Sequence, residues 1–124
     1  MIVEKLLHLM FDKHDLSAAS ALLHDEFRSH NPVVPHDPAA RTGREAFLDF
    51  LASPQGQAMM HAESTTRRVL ADGDLVAVHS SLTWPDGSTM AIVDILRIRD
   101  GLVVEHWDVV QPVPETAANP HGMF

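Results

Sequence analysis

Cysteine is absent from all 124 residues, which excludes disulfides and thiolate chemistry and leaves cysteine usage silent about redox compartment. Positive charge is scarce too. Nine Lys and Arg stand against 17 Asp and Glu, for a net charge of −8, whereas nucleic-acid binding needs clustered Lys and Arg. No apolar run approaches the ~20 residues of a membrane-crossing helix. The start, Met1-Ile2-Val3-Glu4-Lys5-Leu6-Leu7, lacks the basic leader and long apolar core of a signal peptide, so a cytoplasmic location is expected, with neither membrane nor nucleic acid as partner. Low-complexity segments and internal repeats are missing as well. With 45% hydrophobic residues, residues 1–124 are expected to form one domain able to bury its own core.

The first half reads as helices. Val3, Leu6, Leu7, Met10 and Phe11 recur at helical spacing, and Asp15 or Ser17 can cap a second helix carrying Leu16, Ala19, Leu22 and Leu23. A short extended piece, Phe27 to His30, precedes a proline-rich loop from Asn31 to Thr42, and a third helix follows from Arg44 to about Ala52. Ser53 to Met60 is ambiguous. The second half reads as four strands, roughly His61 to Leu70, Leu75 to Trp84, Thr89 to Ile98 and Val103 to Val113, joined at Asp72-Gly73, Asp86-Gly87 and Asp100-Gly101. Helices followed by an antiparallel meander define an α+β fold, with the helices covering one face of a curved sheet and a cone-shaped pocket between the two layers.

Two aspartates interrupt the most apolar strands, in Ala91-Ile92-Val93-Asp94-Ile95-Leu96 and Val103-Val104-Glu105-His106-Trp107-Asp108-Val109-Val110. A carboxylate there must be paired, hydrogen-bonded or protonated, because burying an isolated charge is costly. A three-residue loop, Arg99-Asp100-Gly101 or Asp100-Gly101-Leu102, places Asp94 on the same sheet face as His106 and Asp108 and sends Arg97, Glu105 and Trp107 to the other. A strict two-residue turn would break this arrangement, since a one-residue slip moves side chains to the opposite face. For the preceding hairpin, an Asp86-Gly87 turn or a four-residue loop sets His79 opposite Asp94, Ala77 opposite Leu96 and Leu75 opposite Ile98.

The chemistry of such a cluster is proton transfer. Carbon-acid deprotonation needs a base whose pKa is raised by an apolar setting and a second group that holds or donates a proton, and two close carboxylates supply both states. Asp108, Asp94 and His79 are therefore the catalytic candidates, with His30, Asn31 and His106 expected to contact substrate. The bland reading is a structural ion-pair network. Nine histidines invite a metal hypothesis, but no HExxH or similar spacing is present, and neither metal nor cofactor is expected. Arg67 and Arg68 allow, at poor spacing, an aspartate-arginine-aspartate relay of the epoxide-hydrolase kind.

His30-Asn31-Pro32, Ala71-Asp72-Gly73-Asp74-Leu75-Val76-Ala77-Val78-His79, Val93-Asp94-Ile95 and Val104-Glu105-His106-Trp107-Asp108-Val109 together resemble the SnoaL-like polyketide cyclases of the nuclear transport factor 2-like superfamily. The resemblance covers the chain from about Lys5 to Phe124. It implies a cone of helices on a curved antiparallel sheet, and cofactor-independent acid/base chemistry, an aldol-type cyclisation or enolisation of a small apolar carbonyl compound. It matches Asp108 to the acid/base aspartate of those cyclases. Asp94 stands where they carry a histidine, which His79 can replace from one strand further over. A non-catalytic ligand-binding module is the competing class. A homodimer is expected through the outer sheet face, with Trp84, Val93, Ile95 and Trp107.

Overall fold

A computed structural model describes every residue from Met1 to Phe124. The chain opens with helix α1, Ile2–Leu7, which continues as a π-helical turn over His8–Asp12. Asp15 then caps α2, Leu16–Ser20, by accepting from the Ala18 N–H. Strand β1, Leu23–Ser29, follows, and the proline-rich loop leads to α3, Gly43–Ala52. Thr42 and Glu45 form a reciprocal capping box at the start of α3, which satisfies amides the first turn leaves without partners. The ambiguous stretch after it is helix α4, Pro54–His61, capped by Ser53 and opened by Pro54, whose missing N–H costs nothing in a first turn. Strands β2 (Glu63–Asp72), β3 (Leu75–Thr83), β4 (Thr89–Arg99) and β5 (Leu102–Pro112) complete the fold.

The expected α+β architecture is present, and the expected four-stranded sheet is extended by one strand. Five strands lie in the order β1-β5-β4-β3-β2, with β1 parallel to β5 and every other pair antiparallel. Leu23, assigned from its spacing to the second helix, instead begins β1. It is buried there with Phe27, on the side facing the helices. The core lies between helices and sheet, with Val3, Leu51, Met60, Val78 and Val103 nearly inaccessible.

Two turns set the registers that matter. At the β4–β5 tip, Asp100 and Gly101 both take positive φ, 54° and 73°, and Arg99 pairs with Leu102. This is the two-residue turn that the expected arrangement excluded. A bulge between Arg97 and Ile98 restores the arrangement, because Val104 is the extra residue and Arg97 pairs with Glu105. Asp94 therefore stands opposite Asp108, Ile95 opposite Trp107 and Leu96 opposite His106.

The β3–β4 expectation fails by one residue. Neither a two-residue nor a four-residue connection forms. The Trp84 N–H donates to the Ser88 carbonyl, leaving a three-residue loop, Pro85-Asp86-Gly87, closed by Gly87 at φ 88°. Val78 rather than His79 is the partner of Asp94, and His79 pairs with Val93. The slip carries His79 to the outer face. Trp84, expected on that outer face, turns inward to the cavity.

Candidate active site

The helices and the concave side of the sheet enclose a cavity of about 460 Å³, lined by 23 residues of which 17 are hydrophobic. Leu6, Leu23, Phe27 and Leu96 close its floor, being almost fully buried. Val33, Val110 and Gln55 line its exposed mouth. Strand alternation places Met90, Ile92, Asp94 and Leu96 of β4 in a row along the wall, so the two aspartates sit one step above the floor with apolar wall on both sides. Apart from Gln55 at the mouth, the polar side chains of this lining are Asn31, Asp94, His106 and Asp108.

The four are bonded as two linked pairs. His106 Nε2 donates to Asp94 Oδ1 at 2.8 Å, and the Ser29 hydroxyl lies 2.9 Å from His106 Nδ1. A carboxylate only accepts, so Nε2 carries a proton, and the Ser29 hydroxyl can donate to or accept from Nδ1. These side chains are 19% exposed for Asp94 and 12% for His106. Asn31 Nδ2 donates to Asp108 Oδ2 at 2.6 Å, while the other oxygen of Asp108 makes no hydrogen bond within the protein. Burial pushes the Asp108 carboxyl above the ordinary carboxylate range. His106 and the Asn31 amide pull it back, and Asp94 raises it further. Donor atoms of Asp94, His106 and Asp108 lie within 4.8 Å of one another, close enough to hold a cation. One oxygen of each carboxylate is taken, Asp94 Oδ1 by His106 and Asp108 Oδ2 by Asn31.

Asp94, Asp108, His106 and Asn31 are thus brought together as the residue pattern suggested, whereas His79 and His30 are not among them. His79 lies on the outer face, where it accepts from Arg68 at 2.7 Å and stacks on Phe124. His30 also turns outward, to Glu105 at 2.7 Å and to the Trp107 ring. Alternation over Phe27-Arg28-Ser29-His30-Asn31 contains this outcome: with Phe27 inside, Ser29 and Asn31 follow it and His30 does not. The same rule would have found Ser29. Phe47 belongs to the apolar side that its spacing gives the third helix, whereas Gln55 lacked any signal, since it enters the site only through the packing of α4. Arg67 bonds Ser81 and lies over Phe124, and no arginine lines the cavity, so a relay through arginine has no residue to carry it.

A helix-covered curved sheet holding an acid/base cluster in an apolar cone defines the class: small α+β cone domains of the nuclear transport factor 2-like type. Within it the chain belongs to the SnoaL-like domain family, whose profile matches residues 3–106. Among solved structures it is similar to a ketosteroid isomerase-like protein from Kribbella flavida, with 27% identity over 98% of this chain and 81% of that one, at a TM-score of 0.70. It also resembles an NTF2-like protein from Mesorhizobium loti (24% identity, 89% and 88% covered, TM-score 0.70). A third similar structure is IdmH, a proposed polyketide cyclase from Streptomyces antibioticus (24%, 89% and 91%, TM-score 0.63). No curated protein sequence matches it significantly. No helix is long and apolar enough to cross a membrane.

Proposed function

We propose that this protein is a cofactor-independent isomerase or lyase that moves a proton on a small apolar carbonyl compound, in an enolisation or an aldol-type ring closure. The observation that carries this reading is Asp108: a carboxyl with one unbonded oxygen, set in an apolar cavity that raises its pKa. Such a group is a stronger base than an ordinary carboxylate, which is what abstraction of a proton next to a carbonyl requires. The negative charge that develops on the carbonyl oxygen needs donors nearby. Asn31 keeps a second amide hydrogen beyond the one given to Asp108, and the Nε2–H that His106 shares with Asp94 is the other. Donation of that Nε2–H to a substrate oxygen shares it with or withdraws it from Asp94, while Ser29 at Nδ1 keeps the ring in place. The apolar walls exclude water, which strengthens both effects. The similarity to ketosteroid isomerase-like and polyketide-cyclase structures supports the same reaction class. The protein acts in this reading as a cytoplasmic homodimer.

Exchange of α-hydrogens for deuterium in apolar ketones, followed by proton NMR, tests the proposal without the natural substrate. The protein should accelerate exchange above buffer, and Asp108→Asn should lose roughly 10²-fold to 10⁴-fold of that acceleration, the usual contribution of a general base. Tight binding of the same ketones with no exchange above buffer would instead identify a ligand-binding module. The hydrogen bonds that engage Asp94 with His106 and Asp108 with Asn31 are the observation that favours that second reading.

A further inference from the structure

Consecutive residues of an extended segment point to opposite sides, and at the end of β1 this alternation ties the two faces of the sheet together. Ser29 and Asn31 reach the cavity side, where they meet His106 and Asp108. Between them His30 is fixed on the outer side in three ways. Its N–H donates to the His106 carbonyl at 2.8 Å. Its Nε2 lies 2.7 Å from Glu105 Oε2. Its ring stacks on Trp107, with centroids 5.1 Å apart and planes 2° from parallel.

We propose that His30 is a positioning residue for the site: clamped to Glu105 and Trp107 outside the cone, it holds the end of β1 against β5 so that the Asn31 amide stays on Asp108 inside it. This rests on the reading of Asp108 as the base. The paired residues of β1 and β5 end at Ser29 and His106, and the chain then enters the loop of Pro32, Pro35 and Pro38. Asn31's other bonds are local, from its own N–H to Ser29 Oγ at 3.2 Å and to its Oδ1 from the Val33 N–H at 2.9 Å. They shape the turn and reach β5 only indirectly, through the contact of Ser29 with His106 Nδ1. A hydrogen bond of 2.6 Å tolerates only a few tenths of an ångström of drift, so a clamp on the adjacent residue matters.

The charged surroundings on each face are distinct. Outside, Glu105 is held by Arg28 at 2.9 Å and Arg97 at 3.6 Å besides His30, and Arg97 is shared with Asp74. The His30 bond leads in holding Glu105 below the ordinary carboxylate range, against the opposing effect of burial. Inside, Asp108 faces His106, Asp94 and Asn31. Releasing the Asn31 bond removes one of the two influences that favour ionised Asp108, so its titration midpoint moves up.

The Asp108 carboxyl carbon in ¹³C NMR, assigned by its disappearance in Asp108→Asn, reports that midpoint with no substrate present. Asn31→Ala is the reference and should raise it. His30→Ala should produce the larger part of the same rise, and His30→Phe, which keeps a ring on Trp107 and so protects folding, should also raise it through loss of the Glu105 bond. The double variant His30→Ala/Asn31→Ala should titrate like Asn31→Ala alone, because both changes remove one hydrogen bond. The proposal is overturned if both His30 variants keep the wild-type midpoint, if the double variant shows the sum of the two single rises, or if Asn31→Ala titrates as wild type. These outcomes are independent of catalysis: α-hydrogen exchange judges Asp108 as base, and the titration judges His30.

Discussion

Asp108 puts a price on ionisation that the fold carries at neutral pH. Its folded-state pKa is raised above the reference 3.8, chiefly by burial, so the native state binds this proton more tightly than the unfolded chain. The contribution of Asp108 to stability therefore falls as pH rises from about that reference through the folded midpoint. Asp108→Asn removes the penalty and can still accept from Asn31. Thermal melts at neutral pH should show equal or higher stability for the variant, with the two proteins converging in acid, where Asp108 is protonated in both states. A fall of about 1 to 3 kcal/mol at neutral pH would mean that the carboxylate anchors a structural network. Loss in Asp108→Asn but not in Asp94→Asn would remove Asp108 as the base.

Among the elements, α3 links local sequence to the cavity most directly. Its capping box at Thr42 and Glu45 fixes where the helix begins, and its Phe47 and Phe50 line the cavity. Phe47 packs edge-on against both Phe27 and His106, with ring centroids 5.1 Å and 6.0 Å apart. Thr42→Ala should cost about 0.5 to 2 kcal/mol, the usual range for a lost N-cap, seen as a drop of several degrees in the melting temperature. An unchanged melt would show that packing of the helix, not its cap, sets its start. The helix was expected from Arg44 to about Ala52, and the capping box starts it one residue earlier, at Gly43. The bulge in β5 was less legible in the residues, although Leu102-Val103-Val104 breaks strict alternation, and Val103 and Val104 are both buried as an inserted residue would require.

For the whole molecule, the outer face of the sheet remains the expected dimer surface, with altered membership. Trp84 has left it for the cavity, and Phe124 of the tail covers part of it beside Arg67 and His79. Val93 and Val109 remain 39% and 70% exposed there, on adjacent strands and directly paired. A charge at the centre of an apolar interface is strongly unfavourable. Light scattering at micromolar concentration should thus give a dimer for the natural sequence and a monomer for Val109→Asp. A monomer for both would remove the interface.

The residues alone determined the α+β class, the helical first half, the strands of the second, and the presence of two aspartates too costly to bury without partners. Alternation also put His106 and Asp108 on one face of β5, whereas Asp94 joins them through a bulge beside a two-residue turn and not through the three-residue loop expected. What only the tertiary structure decided was the register across strands and the direction of side chains at strand ends. The Asp86-Gly87 turn chemistry suits loops of several lengths with little difference in local energy, yet one residue more or less exchanges the faces of β3 relative to β4. His79 and Trp84 went to the sides opposite those expected for that reason. The outward turn of His30 follows from alternation once Phe27 faces inward, and it was β1 joining the sheet beside β5 that settled which side is inward.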